Sequence, residues 1–137
     1  MKTKIRILLI EDSAIDAELI TYELINGNFD PDWIRICDLT ELEKMLNEKD
    51  WDLILCDYGL SKFTGLDAIK MIKKINPDIP VILVSGMVGE DKAVEIMRAG
   101  ANDYILKDNL TRLVPAINRE LKEYKSKKEV EIRKMGG

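Results

Sequence analysis

The chain has 137 residues, of which 46% are hydrophobic and 34% charged, and it carries a formal net charge of −4 with no histidine. One domain of this length buries a core without metal or disulfide staples, and its acidic balance argues against direct binding to nucleic acid. The absence of histidine excludes His-based acid/base catalysis, histidine-ligated zinc and a phosphohistidine carried by the chain itself.

The first segment predicts a strand and no export signal. Residues 1–6 are basic but lead into only four apolar residues, too few for a signal peptide or a membrane span. We therefore expect a cytoplasmic protein that does not enter a membrane. The residues from Ile5 to Ile10 predict a strand, which ends in the acid pair Glu11 and Asp12.

A helix and a second strand are predicted next. Ser13 begins a helix that runs to about Ile25 and stops at Gly27, because Asp16 has capping-box spacing from Ser13. The face expected to pack on the sheet contains Ile15, Leu19, Tyr22 and Ile25. Residues 33–38 predict a short strand, which is more polar than the others and is therefore expected at the sheet edge.

The second helix leads into a fully apolar third strand. Thr40 and Glu43 have capping-box spacing and predict a helix through about Glu48. Its buried residues are expected to be Leu42, Met45 and Leu46. Leu53 to Cys56 is a short apolar run that ends at Asp57, which predicts a strand covered on both faces.

The third helix and the fourth strand continue the alternation. Thr64 and Asp67 again have cap spacing, and Asn76-Pro77 ends the helix that they begin. Its inward residues are expected to be Leu66, Ile69, Ile72 and Ile75. Pro80 to Val84 predicts a strand that runs into Ser85.

The last elements repeat the pattern. Residues 90–99 predict a helix that ends at Gly100, and residues 103–106 predict a fifth strand with Lys107 at its end. After a turn, Pro115 belongs in the first turn of a final helix. Its inward residues are expected to be Ile117, Leu121 and Tyr124.

Strict alternation of strands and helices predicts one α/β domain over residues 1–124, with a parallel sheet, right-handed crossovers and helices on both faces. Residues 125–137 contain five Lys/Arg and two Glu, which leaves −7 on residues 1–124. We expect this last segment to be a charged helical extension or connector, or a frayed end. Cys37 and Cys56 lack metal-ligand spacing and are expected to be small buried hydrophobic residues.

Polar side chains follow four of the five predicted strands. In a sheet of order 2-1-3-4-5 the strand order reverses between strands one and three, and ligands bind outside the carboxyl ends at that point. Asp57 is then central, with Glu11 and Asp12 on one side, and Ser85 and then Lys107 on the other.

This set of side chains suggests phosphoryl chemistry. Converging carboxylates repel each other, and a cation relieves the repulsion. Oxygen ligands without His or Cys select Mg²⁺. Asp57 would bind the metal and attack phosphorus to give an aspartyl phosphate, while Mg²⁺, Lys107 and Ser85 each take one phosphoryl oxygen.

Five motifs together resemble a response-regulator receiver domain of the chemotaxis-regulator (CheY-like) type over about residues 4–124. They are Glu11-Asp12-Ser13, Asp57-Tyr58-Gly59-Leu60, Thr64-Gly65-Leu66, Val84-Ser85-Gly86, and the run from Ala99 to Lys107. The resemblance implies a flavodoxin-like doubly wound fold with a sheet of order 2-1-3-4-5.

The resemblance also implies residue roles. By position, it implies Asp57 as phosphoacceptor and Mg²⁺ ligand, Asp12 as a direct Mg²⁺ ligand, Glu11 as a ligand largely through water, and Gly59 as a ligand through its backbone carbonyl. It further implies three residues that respond to the phosphoryl group. They are Ser85 as the hydroxyl that follows it, Lys107 as its cation, and Tyr104 as an aromatic that turns inward when Ser85 moves.

Three features depart from the family pattern. Ser61 replaces a common proline, which predicts a less rigid loop between Gly59 and Phe63. Asp108 replaces a proline that commonly follows a cis bond, which leaves the Lys107–Asp108 bond open because a non-proline cis bond costs about 3 kcal/mol. Third, nothing that resembles an output domain follows the receiver-like residues in this sequence, only the charged tail.

The function that the resemblance implies is a phosphorylation-controlled switch of a two-component system, not an enzyme acting on a metabolite. A histidine kinase or phosphotransfer protein would phosphorylate Asp57, and the face formed by the fourth helix, fifth strand and fifth helix would control an output domain or protein partner. A phosphorylation-dependent homodimer is a further expectation.

Two other functions compete with this one. A Mg²⁺-dependent aspartyl-phosphate phosphatase of the haloacid-dehalogenase type needs a nucleophile after the first strand with a second Asp two residues later, and Glu11-Asp12-Ser13-Ala14 lacks that pattern. A flavodoxin-like cofactor binder needs a Gly-rich or Ser/Thr-rich phosphate loop, and none follows Ile10.

Overall fold

Apolar runs become strands that alternate with helices in the computed structural model, which describes residues 1–136. In chain order the elements are β1 (Thr3–Ile10), α1 (Ala14–Asn26), β2 (Phe29–Ile36), α2 (Leu39–Glu48), β3 (Leu53–Cys56), α3 (Gly65–Ile75), β4 (Val81–Ser85), α4 (Glu90–Ala99), β5 (Asp103–Leu106), a 3₁₀ segment (Lys107–Arg112) and α5 (Leu113–Gly136). All strand pairs are parallel, in the order β2-β1-β3-β4-β5. This confirms the doubly wound fold expected from the sequence.

The register of the strands brings their carboxyl ends to one edge of the sheet. Ile10 in β1 pairs with Cys56 in β3, and Cys56 pairs with Leu83 in β4. Leu106 in β5 pairs with Ser85. The residues that follow these positions therefore emerge side by side, at the edge where doubly wound sheets bind ligands.

Alternate residues of β1 face opposite layers of helices, as the period of a strand requires. Leu8 lies in a core with Ile69 of α3, on the side of the sheet that α2, α3 and α4 cover. Leu9 lies in a second core with Ile20 of α1, on the side that α1 and α5 cover. The central strands β3 and β4 are thus buried on both faces.

The face of α1 that packs on the sheet differs from the expected one. Its buried residues are Ala17, Ile20 and Leu24. The four residues expected to be inward are instead exposed, namely Ile15 at 71%, Leu19 at 53%, Tyr22 at 65% and Ile25 at 41%. The prediction was wrong because α1 has apolar residues nearly all round, so that spacing alone does not identify its inner face.

Two boundaries also differ from expectation. Strand β2 lies at the sheet edge, as expected, but it begins at Phe29 and not at residue 33. The sequence did not indicate this start, because the polar Asp30-Pro31-Asp32 segment does not resemble a strand. Proline is tolerated on such an edge strand. The N-cap of α2 is Asp38, whose carboxylate accepts a hydrogen bond from the Glu41 amide at 2.7 Å, so the expected Thr40 cap was wrong.

The remaining elements follow the sequence signals closely. Thr64 and Asp67 form the capping box of α3, and Pro115 lies in the first turn of α5. Helix α5 continues to Gly136, and residues 125–134 are exposed. Cys56 is buried, whereas Cys37 is only half-buried. In the described part of the chain no helix is long and apolar enough to cross a membrane.

Candidate functional site

Asp57 is the centre of a hydrogen-bonded cluster at the carboxyl edge of the sheet. Its Oδ1 accepts from the Ser85 hydroxyl at 2.5 Å and from the Tyr58 amide at 2.7 Å. Its Oδ2 accepts from the Lys107 ammonium at 2.8 Å. The Asp57 side chain is only 11% exposed. Three strand ends, those of β3, β4 and β5, therefore deliver a carboxylate, a hydroxyl and an ammonium to one point.

Lys107 is shared among three carboxylates. Besides its bond to Asp57, Nζ lies 2.7 Å from Glu11 Oε1 and 2.7 Å from Asp16 Oδ2. Sequence reasoning placed Glu11 here but missed Asp16, which it interpreted only as a cap partner of Ser13. The Ser13 hydroxyl does accept from the Asp16 amide, while the Asp16 carboxylate turns to Lys107. The available signal was an acid in the first turn of the helix that follows strand one.

The environment shifts the pKa values of Glu11, Asp57 and Lys107. Burial raises the pKa of Glu11, and its contacts with Lys107 and the Ser13 amide offset only part of that effect. At Asp57 burial acts the same way, but the bonds from Lys107 and Ser85 outweigh it and lower the pKa. Burial alone would lower the pKa of Lys107, yet its bonds to Asp16, Asp57 and Glu11 raise it. At neutral pH Asp57 and Lys107 are therefore both charged.

Asp12 lies beside this cluster and is held by other contacts. Its Oδ2 accepts from the Ser61 amide at 2.6 Å. Arg35 of β2 donates to the backbone carbonyls of Glu11 at 3.1 Å and Asp12 at 3.3 Å. A proline at position 61 would lack the amide proton. The Ser61 amide therefore bonds its loop to Asp12, at the position where the sequence predicted a less rigid loop. The sequence did not predict these contacts of Ser61 and Arg35.

Gly65 allows the loop after β3 to fold back on Asp57. A Cβ at Gly65 would lie 2.6 Å from the backbone oxygen of Asp57, a distance that a real side chain does not tolerate. The Gly65 amide also donates to the Tyr58 carbonyl at 2.8 Å. Within this loop Gly59 forms an isolated bridge with Thr64.

Tyr104 contacts the segment that follows Ser85. Its hydroxyl donates to the backbone carbonyl of Gly86, and burial raises its pKa. The ring is half-buried against α4 and β5. The Lys107–Asp108 bond is trans, as are the other peptide bonds of residues 1–136, which answers the question left open by Asp108.

The donor atoms suit a hard cation. Glu11 Oε1 is buried and, among the described residues, has no hydrogen-bond donor of acceptable geometry although Lys107 lies nearby. No cluster of three or more His, Cys, Asp or Glu in residues 1–136 is arranged to hold a metal by itself. Mg²⁺ needs only one or two carboxylates, since it keeps several waters. Glu11, Asp12 and Asp57 therefore offer oxygen donors of the kind that Mg²⁺ prefers.

Together, the doubly wound sheet and the Asp57–Ser85–Lys107 cluster at its switch point define a class of α/β protein with a hydrogen-bonded carboxylate at the carboxyl edge of its sheet. The sequence profile of the response regulator receiver domain matches residues 7–118. The chain belongs to this family, whose members are regulatory switches of two-component systems.

Relatives and solved structures agree with this assignment. The chain is 36% identical over 104 residues to the phosphate regulon transcriptional regulatory protein PhoB of Klebsiella pneumoniae, covering 74% of this chain and 44% of PhoB. It is 42% identical over 69 residues to the transcriptional regulatory protein ZraR of Klebsiella oxytoca, covering 50% of this chain and 15% of ZraR. The chain thus spans less than half the length of these relatives.

Among solved structures, the signal receiver domain of a putative LuxO repressor protein from Vibrio parahaemolyticus superposes with a TM-score of 0.80 at 27% identity. The match covers 93% of this chain and 98% of that domain. The expected family is therefore confirmed, and so is its fold.

Proposed function

We propose that this chain is a phosphoacceptor receiver in which Asp57 takes a phosphoryl group from a phosphohistidine. The observation that carries the proposal is the convergence of the Ser85 hydroxyl and the Lys107 ammonium on the two oxygens of Asp57. Since the chain has no histidine, the donor is a histidine kinase or a phosphotransfer protein. The chain assists its own phosphorylation and dephosphorylation in the cytoplasm, and it acts on no external metabolite.

The transfer uses an ionised carboxylate. An Asp57 oxygen attacks phosphorus, the bond between phosphorus and the donor imidazole nitrogen breaks, and the electron pair of that bond returns to the imidazole. The lowered pKa of Asp57 keeps the nucleophile charged. After transfer, Ser85 and Lys107 are placed to exchange their carboxylate contacts for contacts with phosphoryl oxygens, which is electrostatic stabilisation by prearranged groups.

Magnesium would be held by Asp12 and Asp57 directly, by Glu11 through water, and by the Gly59 carbonyl. When bound, it supplies positive charge that neutralises the oxygens of the transferring phosphoryl group. The chain's own contribution is to keep these oxygen ligands together despite their repulsion, through the Lys107 ammonium and the Ser61 amide.

The output is proposed to be the face formed by α4, β5 and α5. Ser85 ends β4, Lys107 directly follows β5, and Tyr104 reaches across to Gly86. Exposed apolar residues, Met87 at 87% and Met97 at 45%, offer a binding surface. Loss of the Ser85 contact with Asp57 would release Tyr104 to turn inward, and the altered face would control an output domain, a protein partner or a homodimer.

Labelling with a small phosphodonor tests the assignment. With acetyl phosphate and Mg²⁺, the wild-type chain should gain one phosphoryl group by intact-mass measurement, and Asp57→Asn should gain none. Excess EDTA should abolish the gain in the wild type. Unchanged labelling of Asp57→Asn, or labelling that persists in EDTA, would overturn the proposal. Glu43→Gln, an exposed acid on α2, is the matched control and should label normally.

A further inference from the structure

Asp16 is an acid that the receiver chemistry described above does not use. It lies in the first turn of α1, its side chain is 34% exposed, and its Oδ2 lies 2.7 Å from Lys107 Nζ. It comes 91 residues before its partner in the chain, and it sits on a helix rather than at a strand end. The contact links α1 directly to the cation of the site.

The Lys107 ammonium has as many protons as carboxylate neighbours. It donates three hydrogen bonds at most, and Glu11, Asp16 and Asp57 lie at 2.7, 2.7 and 2.8 Å. Only the contacts with Asp16 and Asp57 have hydrogen-bond geometry, so a phosphoryl oxygen on Asp57 competes with the Asp16 carboxylate for the same ammonium. Phosphorylation converts the Asp57 carboxylate into an acyl phosphate whose negative charge lies on the phosphoryl oxygens, whereas the Asp16 carboxylate is chemically unchanged.

We propose that Asp16 is a positioning residue that retains the Lys107 ammonium at the α1 side of the site and so opposes its transfer to the phosphoryl group. This inference rests on the proposed function, because it concerns the occupancy of the same site. Asp16 acts through Lys107, and its carboxylate also repels the negative phosphoryl oxygens, so both effects weaken the phosphorylated state.

The same geometry has the opposite consequence for the metal. The Lys107 ammonium competes with Mg²⁺ for Glu11 and Asp57, and Asp16 weakens this competition by drawing the ammonium towards itself. The negative charge of Asp16 also attracts Mg²⁺ directly. Replacing Asp16 by its neutral isostere should therefore weaken Mg²⁺ binding while strengthening the binding of a phosphoryl mimic. A residue that only supported the fold of α1 would weaken both or change neither.

The test compares Asp16→Asn with the wild type by two titrations on the full chain. Mg²⁺ alone, followed by Tyr and Trp fluorescence, should bind about threefold to fivefold more weakly to Asp16→Asn. Beryllofluoride at saturating Mg²⁺ should bind about fivefold more tightly, the difference between a charge-assisted and a neutral hydrogen bond. Asp16→Glu, which keeps the charge, should move both constants back towards wild type.

Glu18→Gln removes one negative charge from the same helix at an exposed position without a contact to Lys107, and it should leave both constants unchanged. If Asp16→Asn matches Glu18→Gln, or if both its affinities change in the same direction, the role of Asp16 is overturned while the proposed function stands. If the wild type binds no beryllofluoride with Mg²⁺ present, the proposed function fails, and this inference fails with it.

Discussion

Glu11 and Asp57 contact the same ammonium, yet their pKa values move in opposite directions. Burial dominates at Glu11 and raises its pKa, whereas the bonds from Lys107 and Ser85 outweigh burial at Asp57 and lower its pKa. A raised carboxyl pKa means that the folded state binds the proton more tightly, so this contribution to stability is present below the unfolded pKa and is lost as pH rises. Asp57 contributes in the opposite sense, since its stabilisation is lost as pH falls through its lowered pKa.

Glu11→Gln tests this pair of shifts in metal-free protein. Below the ordinary carboxyl pKa of 4.5, Glu11 resembles its neutral amide, and the variant should match the wild type in free energy of unfolding. Towards pH 7 the variant should become more stable by about 1 kcal/mol, because it escapes burial of a charge. Urea unfolding at pH 4 and pH 7 in EDTA measures the difference. A pH-independent difference, or a less stable variant at pH 7, would contradict the assigned shift.

At the scale of elements, α1 presents two apolar faces. Ala17, Ile20 and Leu24 fill the core against the sheet, whereas Ile15, Leu19 and Tyr22 face solvent. The exposed face begins next to Asp16, in the turn that contacts the site. A protein that delivers a phosphoryl group to Asp57 must approach this edge, so we expect it to touch α1.

Leu19→Glu separates docking from chemistry. The test uses a phosphohistidine protein that phosphorylates the wild-type chain. The substitution should slow phosphotransfer from this protein by about tenfold or more, since it places a charge in an apolar contact. Labelling by acetyl phosphate should not change, because Asp57 and Lys107 are untouched. The free energy of unfolding should also stay within about 0.5 kcal/mol of the wild-type value, since Leu19 is exposed. Equal slowing with both donors would place the effect in the site instead.

A buried-face variant is the matched control for α1. Ile20→Ala removes a core side chain and should destabilise the domain by about 2 to 4 kcal/mol. Under conditions in which this variant remains folded, the ratio of its phosphorylation rates with the two donors should equal the wild-type ratio. A selective loss of phosphotransfer in Ile20→Ala would show that the exposed face of α1 is not the specific contact.

The sequence was sufficient where several signals agreed. The fourth helix and fifth strand have the predicted bounds, because a glycine and strong apolar periodicity delimit them. The predicted strand ends correctly indicated that Glu11, Asp57, Ser85 and Lys107 lie close together. The inner face of α1 was not predictable, since apolar residues surround that helix. Asp16 was missed because its contact depends on where α1 lies over the sheet, which local patterns do not encode.

On the scale of the whole molecule, helix α5 begins in the hydrophobic core and extends into solvent. Leu113 and Ile117 are fully buried, whereas Val130 is 45% and Ile132 68% exposed. Near the last inward residue, Lys128 lies over the Tyr124 ring at 4.5 Å, and a groove between this helix and β1 includes Tyr124, Lys128 and Ile132. We therefore propose residues 1–124 as the receiver unit and residues 125–137 as a connector or partner-binding extension.

Truncation after Tyr124 tests this division. The shortened chain should lose no more than about 1 kcal/mol of unfolding free energy, because residues 125–134 are exposed and the contact of Lys128 with the Tyr124 ring lies at the surface. Self-association or partner binding in the beryllofluoride-treated state should fall, as measured by analytical ultracentrifugation. Val130→Ser with Ile132→Ser in the full-length chain removes the exposed apolar groups without shortening the helix, and it should reproduce that loss.

If truncation unfolds the domain, residues 125–136 belong to the core. If the truncated chain associates as the full chain does, the extension plays no part in output and the α4–β5–α5 face alone carries it.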